Sequence, residues 1–317
     1  MNYGYQNELD FVNYFNDKYL YELDNNSKLF LKELFGEFID NTEKIKSWKN
    51  KMAQKADIFI KYKNIIKSVS LKCGKNNSVH CENIQDFKRY LTNLNIPYKT
   101  IDKYISYHYG YKKNDDGTTD FTQQLSSEEY KELYQHEIND FNQTINKTRI
   151  IVDMIDRFLV RGRNSDYDID ALVSGLVGDY VWILKYDLYD LILSKKDFNY
   201  TSPHIACMTI GPKKRNLNGN SLNVKDRYQV CIRWNFIREN IIEFRKWLWW
   251  GFPSLAPQKK NLKVLIFLVE RTRGIEPPSQ PWQGRILTIK PHSQKMEGPT
   301  GFEPVIRVLQ THALPLG

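Results

Sequence analysis

A mixed α/β fold is predicted for residues 1 to about 245, and three observations predict it. An amphipathic helical segment occupies 26–39, two short runs of period two occupy 57–62 and 67–73, and several strand-like runs cluster after Asp179. The chain has 317 residues and 41% hydrophobic composition, which is enough to fill a core and sets aside disorder as the default state.

The helical segment NSKLFLKELFGEFI places Leu29, Phe30, Leu34, Phe35 and Phe38 on one face, behind Asn26 or Ser27 as the cap. DIFIKY (57–62) and KSVSLKC (67–73) then read as a β-hairpin turning at Lys63 and Asn64. Ile84, Phe87 and Leu91 mark a second helix, and SSEE at 126–129 is a capping box opening a helical stretch through about 160. VWIL, HIACMTI and RYQVCIRWN follow as strands, the last two separated by the polar loop GPKKRNLNGN (211–220).

Composition changes near residue 246. Nine of the 12 prolines lie after it, and all 20 tyrosines lie before it. Residues 246–317 also carry 10 Lys and Arg against 4 Glu, so the net charge of +9 leaves only +3 for the body. Global basicity is therefore weak evidence for a nucleic-acid partner, and such a claim must rest on local clusters. Within the tail, RGIEP (273–277) and TGFEP (300–304) recur 27 residues apart. In codons this is roughly the length of a transfer-RNA gene, and the tail resembles spurious translation of such genes in tandem. It is expected to be non-native or disordered and to carry no chemistry.

No charged-then-apolar leader opens the chain, and its longest greasy run, VLIFLV at 264–269, is far short of a membrane span. A cytosolic protein with no membrane role is expected. The four cysteines (Cys73, Cys81, Cys207, Cys231) include no CxxC pair, so buried free thiols are expected rather than a disulfide framework or a zinc ribbon. His80 beside Cys81 has no ligand spacing that completes a zinc site.

The hairpin holds the residues with chemistry. Alternation sends Val69, Leu71 and Cys73 to one face and Ser68, Ser70 and Lys72 to the other, while Asp57 begins the polar face of the first strand. Pairing the strands can bring Asp57 near Ser70 and Lys72. A carboxylate that anchors a divalent cation and an ammonium that assists the attacking water suit phosphodiester hydrolysis.

At these residues the sequence resembles the PD-(D/E)xK nuclease superfamily, the fold of many restriction endonucleases, with a helix, hairpin and helix core over about 27–95. The resemblance matches Asp57 in AD to the metal-binding aspartate and Lys72 in SLK to the motif lysine. The longer run SLKCGKNNSVHCENIQDF is similar to segments of putative restriction endonucleases. Two positions depart from the pattern. Ala56 replaces proline, and Ser70 replaces the second carboxylate, a poorer ligand for a hard cation. Glu82, expected at the start of the next helix, is the nearest replacement acid, with Glu33 and Glu37 as others.

The resemblance implies a Mg2+- or Mn2+-dependent DNA endonuclease. Asp57, Lys72, Ser70 and Glu82 are its catalytic candidates, and Asp57 and Glu82 its metal ligands. Contacts to double-stranded DNA are expected from about 150–245, chiefly Lys213, Lys214, Arg215, Asn216 and Asn218, whose charge and amides suit phosphates and base edges, with Lys75 and His80 near the hairpin. Arg233 and Trp234 on the following strand read equally as an extension of the same surface or as rim and core. Cutting both strands implies two sites and so a homodimer. The alternative is a DNA-binding protein that retains the fold and has lost activity.

Overall fold

The computed structural model describes residues 3–250, except 37–38, 53, 74–77, 115, 117, 163–166, 197–199 and 215–223. The tail expected to be non-native lies outside the described residues from 251 onward. Helix placement crosses the compositional boundary at 246, since the last helix is Ile237–Trp250.

The helices are α1 (Tyr3–Phe15), α2 (Asn25–Phe35), α3 (Ile84–Asn93), α4 (Tyr98–Tyr109) and α5 (Ser127–Ile145). They continue as α6 (Thr148–Ile155), α7 (Lys185–Ser194), α8 (Val224–Arg227) and α9 (Ile237–Trp250). The strands are β1 (Lys46–Lys49), β2 (Ile58–Tyr62), β3 (Ile65–Lys72), β4 (Ser78–Asn83), β5 (Tyr111–Lys113) and β6 (Thr119–Gln124). After them come β7 (Ala171–Leu176), β8 (Asp179–Leu184), β9 (His204–Ile205), β10 (Met208–Pro212) and β11 (Gln229–Arg233). The mixed α/β class is as predicted.

One sheet has the order β1-β2-β3-β7-β8, a second β4-β11-β10-β9, and β5 pairs with β6. The first sheet is antiparallel except where β3 runs parallel to β7, with Lys72 opposite Ser174. Alternation gives it two buried faces. Ile58, Ile60, Tyr62, Val69 and Val173 pack under α1 and α2 with Phe11, Phe15, Phe30 and Leu31. Leu172 and Ile183 join the larger core on the other side, where α3–α7 and the second sheet lie. Burying, among the described residues, 19 apolar side chains in the first cluster and 37 in the second, at about 1.5–3 kcal/mol for a fully buried large one, is the principal force holding these layers together.

Local sequence explains the element ends. The hairpin β2–β3 closes as expected, Tyr62 pairing with Ile65 across Lys63 and Asn64, with Lys63 at φ 52. The cap of α2 is Asp24 rather than Asn26 or Ser27, because its carboxylate accepts from the Ser27 amide at 2.9 Å. The capping box at α5 forms as read, Ser126 and Glu129 bonding each other's backbone.

Three expectations are corrected. The helical stretch through 160 is broken at buried Asn146, whose side chain bonds the carbonyls of Asn142 and His204 and the Ala206 amide. HIACMTI is two strands, not one, because Ala206 turns the chain at φ 47. The expectation of free thiols fails for one pair: Cys81 and Cys231 face each other across β4 and β11 and form a disulfide. Cys73 and Cys207 carry none. Among the described residues, no helix is long and apolar enough to cross a membrane.

Candidate active site

Asp57 immediately precedes β2, and its backbone is fixed on both sides. Its amide donates to the Val69 carbonyl and its carbonyl accepts from the Asn50 amide, each at 2.9 Å. The Asn50 side chain also donates to the Ala56 carbonyl at 2.9 Å. The carboxylate consequently projects beside the end of β3. Its Oδ2 accepts from the Leu71 amide at 2.6 Å and from Ser70 Oγ at 3.0 Å, with Lys72 Nζ at 3.5 Å. Lys72 Nζ donates in turn to Ser70 Oγ at 2.8 Å and to the Leu71 carbonyl at 3.1 Å.

Ser70 is thus fully buried and bridges the acid and the amine. Asp57 and Lys72 keep 25% and 20% of their side-chain surface open. The structure brings Asp57, Ser70 and Lys72 together on the face opposite α1 and α2, as strand alternation requires. All three donors converge on Oδ2, which leaves Oδ1 as the carboxylate oxygen without these bonds.

Glu82 is placed differently from the sequence reading. It lies on β4, ahead of the helix cap Asn83, not at the start of α3. Its carboxylate is only 1% exposed and meets Arg157 twice, Nη2 to Oε2 at 2.6 Å and Nε to Oε1 at 3.3 Å. Burial acts to raise this carboxyl, but the contacts from His80 and Arg157 outweigh it and hold it below the usual glutamate range. His80 has Nε2 3.5 Å from Glu82 and its ring against Phe158, and burial lowers its imidazole below the ordinary value. Both side chains face inward. Glu33, the other described candidate acid, is held by Arg245 through two bonds of 2.8 Å and by Trp182 Nε1 at 2.7 Å, on the α1–α2 side of the sheet. Glu37 lies outside the described residues.

Lys213 pairs with Asp226 at 2.9 Å on the surface, and Lys214 beside it is exposed. Arg215, Asn216, Asn218 and Lys75 lie outside the described residues. Arg233 is directed back onto its own sheet, donating to the Pro212 carbonyl at 2.8 Å, and Trp234 is fully buried.

Sequence reasoning missed three cations close to the candidate residues. Lys55 Nζ donates to the Val79 carbonyl at 2.7 Å and so ties the Asp57 loop to β4. Burial, and then the charge of Lys72, push its ammonium well below the ordinary lysine range, with Asp57 acting the other way. Arg157 and Arg238 are the others, and neither stands in a local motif. A signal existed only for Lys55, two positions before Asp57. Lys72 also lines a cavity of about 420 Å3 together with Ser174, Val79 and Arg238.

Among the described residues no three His, Cys, Asp or Glu side chains are grouped to hold a metal ion. No family model matches the chain, and no curated protein matches it. Among solved structures, it is similar to restriction endonuclease MspI in complex with its cognate DNA, at TM-score 0.45 and 11% identity, over 72% of this chain and 88% of that one. This is a likeness of fold alone.

Proposed function

We propose that the chain is a divalent-metal-dependent endonuclease acting on double-stranded DNA. One observation carries the reading: an aspartate just before β2 and a lysine at the end of β3 meet through one serine hydroxyl, both still partly open to solvent. Mg2+ is commonly bound through one or two carboxylates with the remaining positions taken by water and substrate phosphate. Asp57 fits that pattern through Oδ1. Glu82 does not fit it while Arg157 occupies both of its oxygens. A bound Mg2+ or Mn2+ would polarise the phosphodiester.

This chain's own residues do the rest. Lys72, held by Ser70 and the Leu71 carbonyl, orients the attacking water and offsets negative charge growing on the phosphate. Ser70 keeps the ammonium at that place, closer to its own hydroxyl at 2.8 Å than to the Asp57 carboxylate at 3.5 Å. Lys214 and the 211–220 loop contact the DNA backbone in this reading, and two copies cut the two strands.

Incubation of the full-length protein with supercoiled plasmid and Mg2+, beside Asp57→Ala and Lys72→Ala, tests it. Each substitution is expected to slow nicking by at least about a hundredfold, and Mg2+ is expected to raise the Tm of the wild type but not of Asp57→Ala. Equal cutting by all three removes both residues from the chemistry. The neutral Ser70 in place of a second acid favours one further reading, a DNA-binding protein without activity. It binds duplex DNA, shows no Mg2+-dependent Tm shift and leaves plasmid intact.

A further inference from the structure

Beyond Lys72, the 420 Å3 cavity at the ends of β3 and β7 contains a second cation whose placement is built rather than incidental. Arg238 stands in the first turn of α9, where a positive side chain opposes the helix dipole, so local helix electrostatics does not explain it. Its Nη1 donates to the Asp179 carbonyl at 3.0 Å, and Nη2 meets the Asp179 carboxylate. A guanidinium has five N–H groups. These two bonds leave three without a bond among the described residues.

The backbone beneath the guanidinium is adapted to it. Gly175 has φ +127, and a Cβ there would lie 2.9 Å from Arg238 Nη1 and 2.3 Å from the Asp179 carbonyl oxygen. The residue before it, Ser174, is the register partner of Lys72. Two cations and two hydroxyls, those of Ser78 and Ser174, therefore line one cavity at the carboxyl ends of the parallel pair. Glu239 also lines it, as an exposed first-turn acid that the helix dipole favours.

From this arrangement we infer that Arg238 binds a DNA backbone phosphate flanking the one that is cut, with Asp179 holding the guanidinium in place until the phosphate arrives. The inference rests on the endonuclease reading above and adds to it a substrate-positioning residue. The full-length protein, with Ca2+ in place of Mg2+, is titrated into a fluorescein-labelled duplex across a salt series, and plasmid nicking is followed separately in Mg2+. Arg238→Ala is expected to bind several-fold more weakly, and the slope of log affinity against log salt is expected to fall by about 0.9, the share of one phosphate contact. Asp179→Asn, which removes the competing carboxylate, is expected to bind more tightly. A merely structural ion pair would instead make both variants alike.

An unchanged slope in Arg238→Ala, or equal weakening in the two variants, overturns this inference while a wild type that nicks plasmid preserves the endonuclease reading. A wild type that neither binds duplex nor nicks plasmid overturns both. Should Arg238→Ala fold poorly, Arg238→Lys retains the charge and must keep the wild-type slope; a loss of slope there counts against the phosphate contact.

Discussion

Ser70 donates its hydroxyl to the Asp57 carboxylate at 3.0 Å while sitting fully buried between that acid and Lys72. A neutral link at this point has energetic consequences that can be measured. Ser70→Ala removes two hydrogen bonds to charged groups and is expected to cost about 2 kcal/mol in denaturant unfolding. Ser70→Asp places a second carboxylate beside Asp57. Without metal it is expected to be less stable than wild type, and with Mg2+ its Tm is expected to rise further than the wild type's. A Mg2+ shift no larger than that of wild type would show that no cation is held between positions 57 and 70.

The buried pair Glu82–Arg157 is expected to matter for folding rather than for cutting. Glu82→Gln leaves Arg157 with an uncompensated charge and is expected to destabilise by about 3–5 kcal/mol. The folded carboxyl lies below the ordinary glutamate value of 4.5. Its contribution is therefore complete above that value and disappears as the pH falls through the lowered folded value.

His80, held below its ordinary 6.5 by burial, adds an earlier loss of the same sign that begins as the pH drops past 6.5. Melting curves of wild type, Glu82→Gln and His80→Gln between pH 7 and 3 separate the two. A stability gap between wild type and Glu82→Gln that stays constant down to pH 3 would contradict the assignment.

The Cys81–Cys231 disulfide spans 150 residues of sequence. A peptide map of unreduced, alkylated protein is expected to contain the linked pair. Cys81→Ser is expected to lower stability by about 2–4 kcal/mol, the usual effect of removing a long-loop cross-link. Recovery of both cysteines as alkylated monomers would refute the pairing.

Gly175 offers a test of the backbone under Arg238. Its positive φ, and the 2.3 Å approach a Cβ would make to the Asp179 carbonyl, leave little room for adjustment. Gly175→Ala is expected to cost about 1–3 kcal/mol. Gly178→Ala, where nothing lies within 4 Å, is expected to cost less despite its own positive φ of 85. Equal losses at the two positions would mean that φ alone, and not crowding, sets the effect.

How much of this was legible beforehand follows physical lines. Local rules placed the hairpin, the capping box of α5 and the meeting of Asp57 with Lys72, because strand alternation and turn chemistry act over a few residues. Strands β1 and β7 were not read. KSWK is short and mostly polar, and ALVSGL owes its place to parallel pairing with residues about a hundred positions earlier. Glu82 was misplaced because a polar strand ending in Asn83 has the same letters as a helix start. Arg157, Arg238 and the cysteine pair depend on contacts across 75, 59 and 150 positions, which no local pattern announces.

The parallel seam between β3 and β7 also sets an order of events during synthesis. Until residues 171–176 have left the ribosome, the strand bearing Lys72 has a bare edge whose amides and carbonyls are open to any passing chain. A product truncated before that point would be a sticky fragment rather than a weakened enzyme. Arg238 emerges later still, so the cavity beside Lys72 is finished only when nearly the whole described domain has been made.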